Sequence, residues 1–401
     1  MYIQVYNSTY SFCGLLTFMN KVTDIVISLD SVVSLHAQLH NQLRQVILSG
    51  RWPHGSRIPS EIQFAEHLKL SRSTVRLALQ IAEIEGLIER AAGRGTFVAY
   101  APSKERKNRM VAFVTCDFDA ENHLLLLTGA ESEVKARGYQ MLFFKAKNHQ
   151  EEADILNTLQ EDETAGVLLW ANSVHSHQEN GPGIEQFQFP IVLVDRKIYG
   201  FDCDCVTSDN YGGSQALMRH FIELGHRRIV FLCHQEMQLS TVAERYQAYR
   251  DTLLEAGETP PEPWLIGQAG KELGVRSMLR LAADPRSPEI QTIKEYMLKT
   301  YPRPTAIFAV HDFMAVLCLR ALRALDLDVP NDVSVAGFDG TDLAAQLEVP
   351  LTTVAQDPLT IGKRGAQILI DRIEGYSGPS SYEIIPTQLY VRSSTSIPVR
   401  A

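Results

Sequence analysis

Seven short apolar runs, 111–114, 141–144, 167–170, 191–194, 229–232, 307–310 and 333–337, alternate with amphipathic stretches at 124–137, 214–224, 245–255 and 313–325. An apolar run without polar alternation is a strand buried on both faces, and a helix-length crossover between such strands makes them parallel. The chain is therefore expected to be α/β, with parallel sheets flanked by helices. The number of runs exceeds one sheet of usual size. A composition break at Ser208-Asp209-Asn210-Tyr211-Gly212-Gly213 divides them, which predicts two sheets joined by crossing strands. Ligands of such folds bind beyond the carboxyl ends of the strands, here in the cleft between two lobes.

Before this region the rhythm differs. Leu35, Leu39, Leu43, Val46 and Ile47 form the apolar stripe of a helix that Gly50 stops. A second short helix ends near Leu70, and Ser71 caps a third, which keeps Val75, Ala78, Leu79 and Ala82 on one face. Its other face carries Arg72, Ser73, Thr74 and Arg76, residue types whose guanidinium forks and hydroxyls match phosphates and base edges. The alternative is an ordinary solvated helix face. Glu89 and Arg90 open a strand, Gly93-Arg94-Gly95 turns it, and Thr96-Phe97-Val98 returns it. Three helices and this hairpin make a winged helix-turn-helix with an arginine at the tip of the wing.

The net charge of −9 conceals a division. Residues 31–109 hold twelve Lys and Arg against six Asp and Glu, whereas residues 110–401 hold twenty-five against thirty-nine. Phosphate binding depends on charge within a Debye length of about 8–10 Å, so the basic end binds while the acidic remainder repels nonspecific DNA. Six cysteines without a Cys-x-x-Cys pair read as reduced thiols of a cytoplasmic protein, and Cys203-Asp204-Cys205 lacks the second pair that a zinc site needs. Residues 1–30 form an extension whose apolar run 12–18 is too short to span a bilayer and lacks a signal peptide's basic start. Met19 makes a more ordinary beginning than Met1. The domains expected are thus the 1–30 extension, a DNA-binding winged helix over 31–100, a polar linker over 101–109, and a two-lobed effector-binding and dimerisation domain over 110–398.

The first domain resembles the GntR family. The helix, Gly50-x-x-x-x-Gly55, Pro59-Ser60-Glu61, Ser71-Arg72-x-Thr74-Val75-Arg76 and Gly93-x-Gly95-Thr96-x-Val98 follow one another as in that family. The resemblance implies DNA contacts by Arg72, Thr74, Arg76, Gly93 and Arg94, with Ser73 alongside. Ile62 stands where some relatives carry arginine, so that contact is missing. The second domain resembles the effector domain of the LacI/GalR family, itself similar to periplasmic sugar-binding proteins. That likeness rests on Val194-Asp195-Arg196, the 208–213 segment, Leu224-Gly225-His226-Arg227-Arg228-Ile229, Pro304 to Phe308, Val329 to Val335 and Pro350 to Val354. A GntR-type reader on a LacI-type sensor is the arrangement of the arabinose repressor group.

That likeness implies effector-binding roles for several residues. Arg245, read as opening its helix, matches the family's effector arginine; the alternative is a salt bridge to Glu244 or another carboxylate. Asp339 matches a carboxylate that accepts sugar hydroxyls, or else forms an Asp-Gly turn with Gly340. His311 stands where relatives often have asparagine, and Asp312 reads as a helix cap rather than a ligand group. Asp209 is either a cleft or a turn residue. Trp170 either lies against a pyranose face or belongs to the core.

The function implied is a dimeric transcriptional regulator, a repressor of sugar-utilisation genes, bound to double-stranded operator DNA of pseudo-twofold symmetry and controlled by a small sugar such as L-arabinose. A transporter subunit would need an export signal and has no use for Arg72 and Arg76. An enzyme is disfavoured because no phosphate loop, Gly-x-Ser-x-Gly elbow or helical pair of metal histidines occurs. No cofactor, metal or membrane partner is expected.

Overall fold

The computed structural model describes residues 22–28, 33–91, 93–100, 109–115, 121–161, 164–171, 187–199, 202–235, 237–267 and 281–398. The expected linker lies almost wholly outside them, as does the segment around Met19. The chain forms two compact units: residues 1–105 with 374–379, and residues 106–373 with 380–401.

In the first unit, α1 (Leu35–Leu48), α2 (Glu61–Leu68) and α3 (Arg72–Ile84) precede a hairpin of β1 (Ile88–Ala91) and β2 (Gly95–Val98). The strands pair antiparallel in the register Ile88↔Val98 to Ala91↔Gly95. A capping box starts α2: the Ser60 hydroxyl accepts from the Gln63 amide while the Gln63 side chain accepts from the Ser60 amide. The Ser71 hydroxyl caps α3 by accepting from the Thr74 amide at 3.1 Å. Lys69, at φ +54, closes α2 in the left-handed region and so turns the chain between the two helices.

Leu39, Leu43, Phe64, Val75, Ala78 and Leu79 meet in one core with Trp52, whose indole N–H donates to Asp24 at 2.8 Å. Each fully buried Leu or Phe of this kind contributes about 1.5–3 kcal/mol. Residues 374–379 complete the unit. Tyr376 is buried in the same core with the Arg44 guanidinium 4.6 Å above its ring, and the Tyr100 hydroxyl donates to the Glu374 carbonyl at 2.6 Å.

The second unit holds two six-stranded sheets, one per lobe. The first lobe contains β3 (Met110–Thr115), β4 (Gln140–Lys145), β5 (Gly166–Trp170), β6 (Ile191–Val194), β7 (Asp204–Ser208) and β13 (Tyr382–Ile385), ordered β13-β7-β6-β5-β3-β4. The second contains β8 (Ile229–His234), β9 (Trp264–Ile266), β10 (Ala306–Ala309), β11 (Ser334–Asp339), β12 (Thr352–Ala355) and β14 (Gln388–Tyr390), ordered β14-β12-β11-β10-β8-β9. Pairing is parallel except for β12 with β14. The chain crosses between the sheets after β7, after β12 and between β13 and β14, so the break at Ser208–Gly213 marks the first crossing.

Helices α4 (Glu121–Ala136), α5 (His149–Glu161), α6 (Asn210–Glu223), α7 (Ser240–Glu255), α8 (Pro288–Lys299), α9 (Asp312–Arg323), α10 (Asp342–Gln346) and α11 (Pro358–Ile373) cover the sheets. Helix α11 follows the second lobe's β12 and packs on α4 and the first sheet. Gly129 and Gly362 let α4 and α11 cross with backbone against backbone, because a Cβ at either would strike a carbonyl of the other helix.

One expectation is corrected. Arg245 does not open its helix: α7 begins at Ser240, so Arg245 lies in the second turn, where the unpaired N–H groups of the first turn no longer set the local field.

Candidate functional site

The candidate nucleic-acid face of the first unit is built on α3. Arg72, Ser73 and Arg76 are exposed while Val75, Ala78 and Leu79 are buried beneath them. The Ser71 hydroxyl meets those of Ser73 and Thr74 at 2.8 and 2.7 Å, which leaves the start of α3 edged with hydroxyls. Gly93 and Arg94 are exposed at the turn of the wing, with Gly93 at φ +73 and Gly95 at φ +112. Glu61, the acidic residue of Pro59-Ser60-Glu61, accepts from Nε and Nη2 of Arg76 at 3.3 and 3.2 Å. It also faces Arg90 of β1 at 3.7 Å, while Arg90 pairs with Glu83 at 3.0 Å. Thus Arg76 is held in one direction before any DNA arrives. Sequence reasoning missed Glu61 and Arg90 in this role, since pairs across elements leave no periodic signal.

The second cluster lies at the carboxyl ends of the parallel strands. Arg245 is 5% exposed. Its Nε donates to the Asn210 side chain at 2.9 Å and its Nη1 to the Val310 carbonyl at 2.8 Å, with Asp339 at 3.5 Å. The guanidinium carbon lies 3.7 Å from the centre of the Phe338 ring. Burial pulls the Arg245 pKa below its ordinary value, against the opposing pull of Asp339, Asp195 and Asp312. Asp339 is thus a carboxylate partner of this arginine, whose charge is also felt by Glu244.

Asp339 ends β11 at φ +112 and accepts from the Gln356 side chain at 2.7 Å, and Gln356 in turn accepts from the Ser208 hydroxyl at 2.6 Å across the lobes. The Asn122 amide donates to the Asp339 carbonyl at 3.5 Å, and Glu121 beside it accepts from the Asp342 N–H at 3.0 Å. Both are further inter-lobe ties. Burial raises the Asp339 carboxyl above its usual range.

The helix cap of α9 is His311, whose Nδ1 accepts from the Met314 amide at 3.0 Å, and not Asp312. Asp312 turns inward instead. It is fully buried, with its oxygens accepting from the Thr353 hydroxyl at 2.6 Å and from the Thr341 amide and hydroxyl at 2.8 and 3.0 Å. Gly337 makes the room, since a Cβ there would strike Asp312. Burial and Asp339 together push the Asp312 carboxyl up to about 7. The His311 ring stacks on His234 at 6.1 Å between centroids. Burial, His234 and Arg245 all lower its pKa well below the ordinary imidazole value, so it is neutral.

Two further candidate residues have structural partners of their own. The Asp209 side chain caps α6 by accepting from the Gly212 amide at 2.7 Å, which is the turn reading. Trp170 is a core residue of the first lobe with the His123 ring edge-on at 4.3 Å, and its buried indole N–H has no acceptor among the described residues. Gln356 and His234 join the cluster unannounced by any motif, and Asn210 joins it from the 208–213 segment. Their common signal is position: each lies at or just beyond the carboxyl end of a parallel strand. No group of three or more His, Cys, Asp or Glu among the described residues is placed to hold a metal ion. Burial, with Asp204 and Asp202 beside it, pushes the Cys203 thiol up to about 12, so it is protonated rather than thiolate.

Residues 35–98 match the family of bacterial regulatory proteins, gntR family, and residues 218–395 match the periplasmic binding protein-like domain. The chain is 28% identical over 368 residues to an arabinose metabolism transcriptional repressor of Geobacillus stearothermophilus, covering 90% of this chain and 97% of that protein. It is 29% identical over 272 residues to the HTH-type transcriptional regulator CelR of Thermobifida fusca, covering 67% and 74% respectively. A solved CelR–cellobiose complex shares the fold at a TM-score of 0.61 and 23% identity, over 84% of this chain and 99% of that one.

Proposed function

We propose that this chain, which joins a GntR-type winged helix to a periplasmic-binding-protein-like domain, is a sequence-specific DNA-binding repressor of sugar-utilisation genes controlled by a small sugar. The observation that carries the reading is the start of α3: exposed Arg72, Ser73 and Arg76 on a buried apolar back, with Arg76 oriented by Glu61. Arg72, Ser73, Thr74 and Arg76 enter the major groove, and the Gly93–Arg94 turn follows the adjacent backbone. The effector sits between the two lobes of the second unit against Arg245, Asp339 and His311. Asp209 supports it only through the start of α6, and Trp170 from the core of the first lobe. L-arabinose is the first candidate, because similarity to an arabinose repressor extends over nearly the full length of both chains.

The effector acts by preferring one closure of the lobes, since equal affinity for two states shifts neither. The protein works in the cytoplasm, where its operator is, and it has no catalytic step. Among the described residues no helix is long and apolar enough to cross a membrane.

The working form is a homodimer. Two apolar grooves support this: one of about 270 Å³ at Val316, Leu319, Leu347 and Val349, rimmed by Arg320, Arg323 and Glu348, and one of about 520 Å³ at Leu127, Val134, Met141 and Phe143. Arg323 and Glu348 on the first rim pair with each other at 2.6 Å, so the apolar floor is the face that a second copy covers. Footprinting of the full chain on the DNA upstream of its own gene, with and without L-arabinose and a panel of other sugars, tests the whole. A symmetric protected site that one sugar abolishes is expected. No protection at any salt concentration refutes the reading.

A further inference from the structure

The chain contributes to the first unit twice: residues 374–379 return to it from between α11 and β13. This returning segment, Glu374-Gly375-Tyr376-Ser377-Gly378-Pro379, sets one aromatic ring among small residues. Gly375, Ser377 and Pro379 are exposed, whereas Tyr376 is 7% exposed and lies in the reader's core with the Arg44 guanidinium over it. Gly375 makes the turn at φ +104. A Cβ on Gly378 would strike the Tyr376 phenol, so the segment folds back on its own ring. At Tyr100, the last described residue before the linker, the hydroxyl donates to the carbonyl of Glu374, where the second passage begins.

The base of this strap is held firmly in the sensor. Asp204 opens β7, is 5% exposed, and grips both flanks. Its oxygens accept from Nε and Nη2 of Arg372 at 2.7 and 2.9 Å, just before the strap, and from the Ser381 amide at 2.8 Å, just after it. Arg364 of α11 and Glu383 of β13 add a two-bonded pair at 2.8 and 2.6 Å. At the other end of β7, roughly 13 Å away by strand rise, the Ser208 hydroxyl donates to Gln356, and Gln356 donates to Asp339 in the cleft cluster. One strand thus joins the cleft to the clamp. Helix α11 makes a second route, since it follows β12 of the second lobe and ends at the strap.

We infer, on the sugar-controlled reading proposed above, that residues 374–379 are the strap through which the sensor acts on the reader, with Tyr376 as its end piece. A shift of the lobes that moves β7 or α11 pulls on Asp204 and Arg372, and the Tyr376 ring changes its seat against Arg44. Arg44 belongs to α1, which packs on α3, so the disturbance reaches Arg72 and Arg76. A packed core has discrete arrangements rather than a continuous range, and a small pull therefore switches it.

Fluorescence anisotropy of the full chain on the DNA upstream of its own gene, with and without L-arabinose, D-xylose, D-galactose or cellobiose, reads the coupling as a ratio of operator affinities. In the wild type one of these sugars should change operator affinity by about 5–150-fold, and the operator should change that sugar's affinity by the same factor. Tyr376→Phe, which keeps the ring, should keep the ratio. Tyr376→Ala and Asp204→Asn should bring it below about twofold, while the sugar's affinity in the absence of DNA, measured by calorimetry, stays within about threefold. A merely structural Tyr376 would lower operator affinity alike with and without sugar and leave the ratio unchanged. If thermal melting shows Tyr376→Ala unfolded, Asp204→Asn, which leaves the reader's core residues in place, decides alone. A wild type that responds to sugar beside variants that respond equally removes the strap and leaves the sugar-controlled reading standing; a wild type whose operator binding none of these sugars alters removes both.

Discussion

Arg76 and Arg245 are the same residue in opposite settings. The Arg76 side chain is 60% exposed and leans on a single carboxylate, Glu61, in a setting that salt screens. Arg245 is buried, and its donors end on an amide oxygen, a carbonyl and a carboxylate. The first is aimed outward and costs the fold little; the second is embedded and holds up its surroundings. A surface that reads DNA must exchange partners quickly, whereas a ligand pocket must keep its geometry while empty.

Removing both outer arginines gives the largest expected effect. Arg72→Ala with Arg76→Ala should weaken operator binding by about 2–6 kcal/mol, taking about 1–3 kcal/mol for each good base contact, while urea midpoints stay nearly unchanged. Gel shifts and denaturation on the same preparation check this; intact operator occupancy would erase the contrast. At Arg245 the signs reverse. Arg245→Met strips a buried carboxylate of its partner and should cost about 3 kcal/mol of stability, together with effector binding. Denaturation monitored in the second unit measures it, and an unchanged midpoint would put Arg245 in the same class as Arg76.

Acidity sharpens the comparison further. Asp312 is raised toward about 7 by burial and by Asp339. Its proton is thus held more tightly in the folded than in the unfolded chain. Stability should then fall as pH rises from the ordinary carboxylate range through about 7, by on the order of 2 kcal/mol. Urea melts between pH 4.5 and 7.5 should show that slope, and Asp312→Asn should flatten it. Glu61→Gln frees Arg76 while Glu83 still holds Arg90, and should change stability by less than about 1 kcal/mol while raising affinity for random DNA a few-fold. A loss of random-sequence binding would mean that Glu61 orients Arg76 productively rather than restraining it.

Much of the architecture was legible because periodicity reports burial. The seven apolar runs are strands, the Ser208–Gly213 break is a crossing, and Ser71 caps the reading helix. Caps and long-range partners were less so. Nothing local distinguishes His311 from Asp312 as the cap: both are competent, and the choice falls to Gly337, which opens a buried slot for the carboxylate of Asp312. Likewise Arg245 looked like a helix start because Tyr246 and Arg250 follow it with helical spacing, yet the apolar and small residues from Ser240 onward extend the helix a turn earlier. Gln356 and Glu61 depend on groups 17 and 15 residues away, Asp339 and Arg76, and no window-based pattern reaches them.

The core that Tyr376 fills has a consequence for how the protein is made. The winged helix leaves the ribosome first, but at Tyr100 it still lacks the ring on which Arg44 rests. At about 5–20 residues per second, the missing piece follows roughly 14–55 s later. For that interval the nascent DNA reader carries an unfilled notch in its interior. It matures only once Tyr376 has been added, after the sensor's sheets are almost complete, so a transcript cut short before that point yields no finished reader.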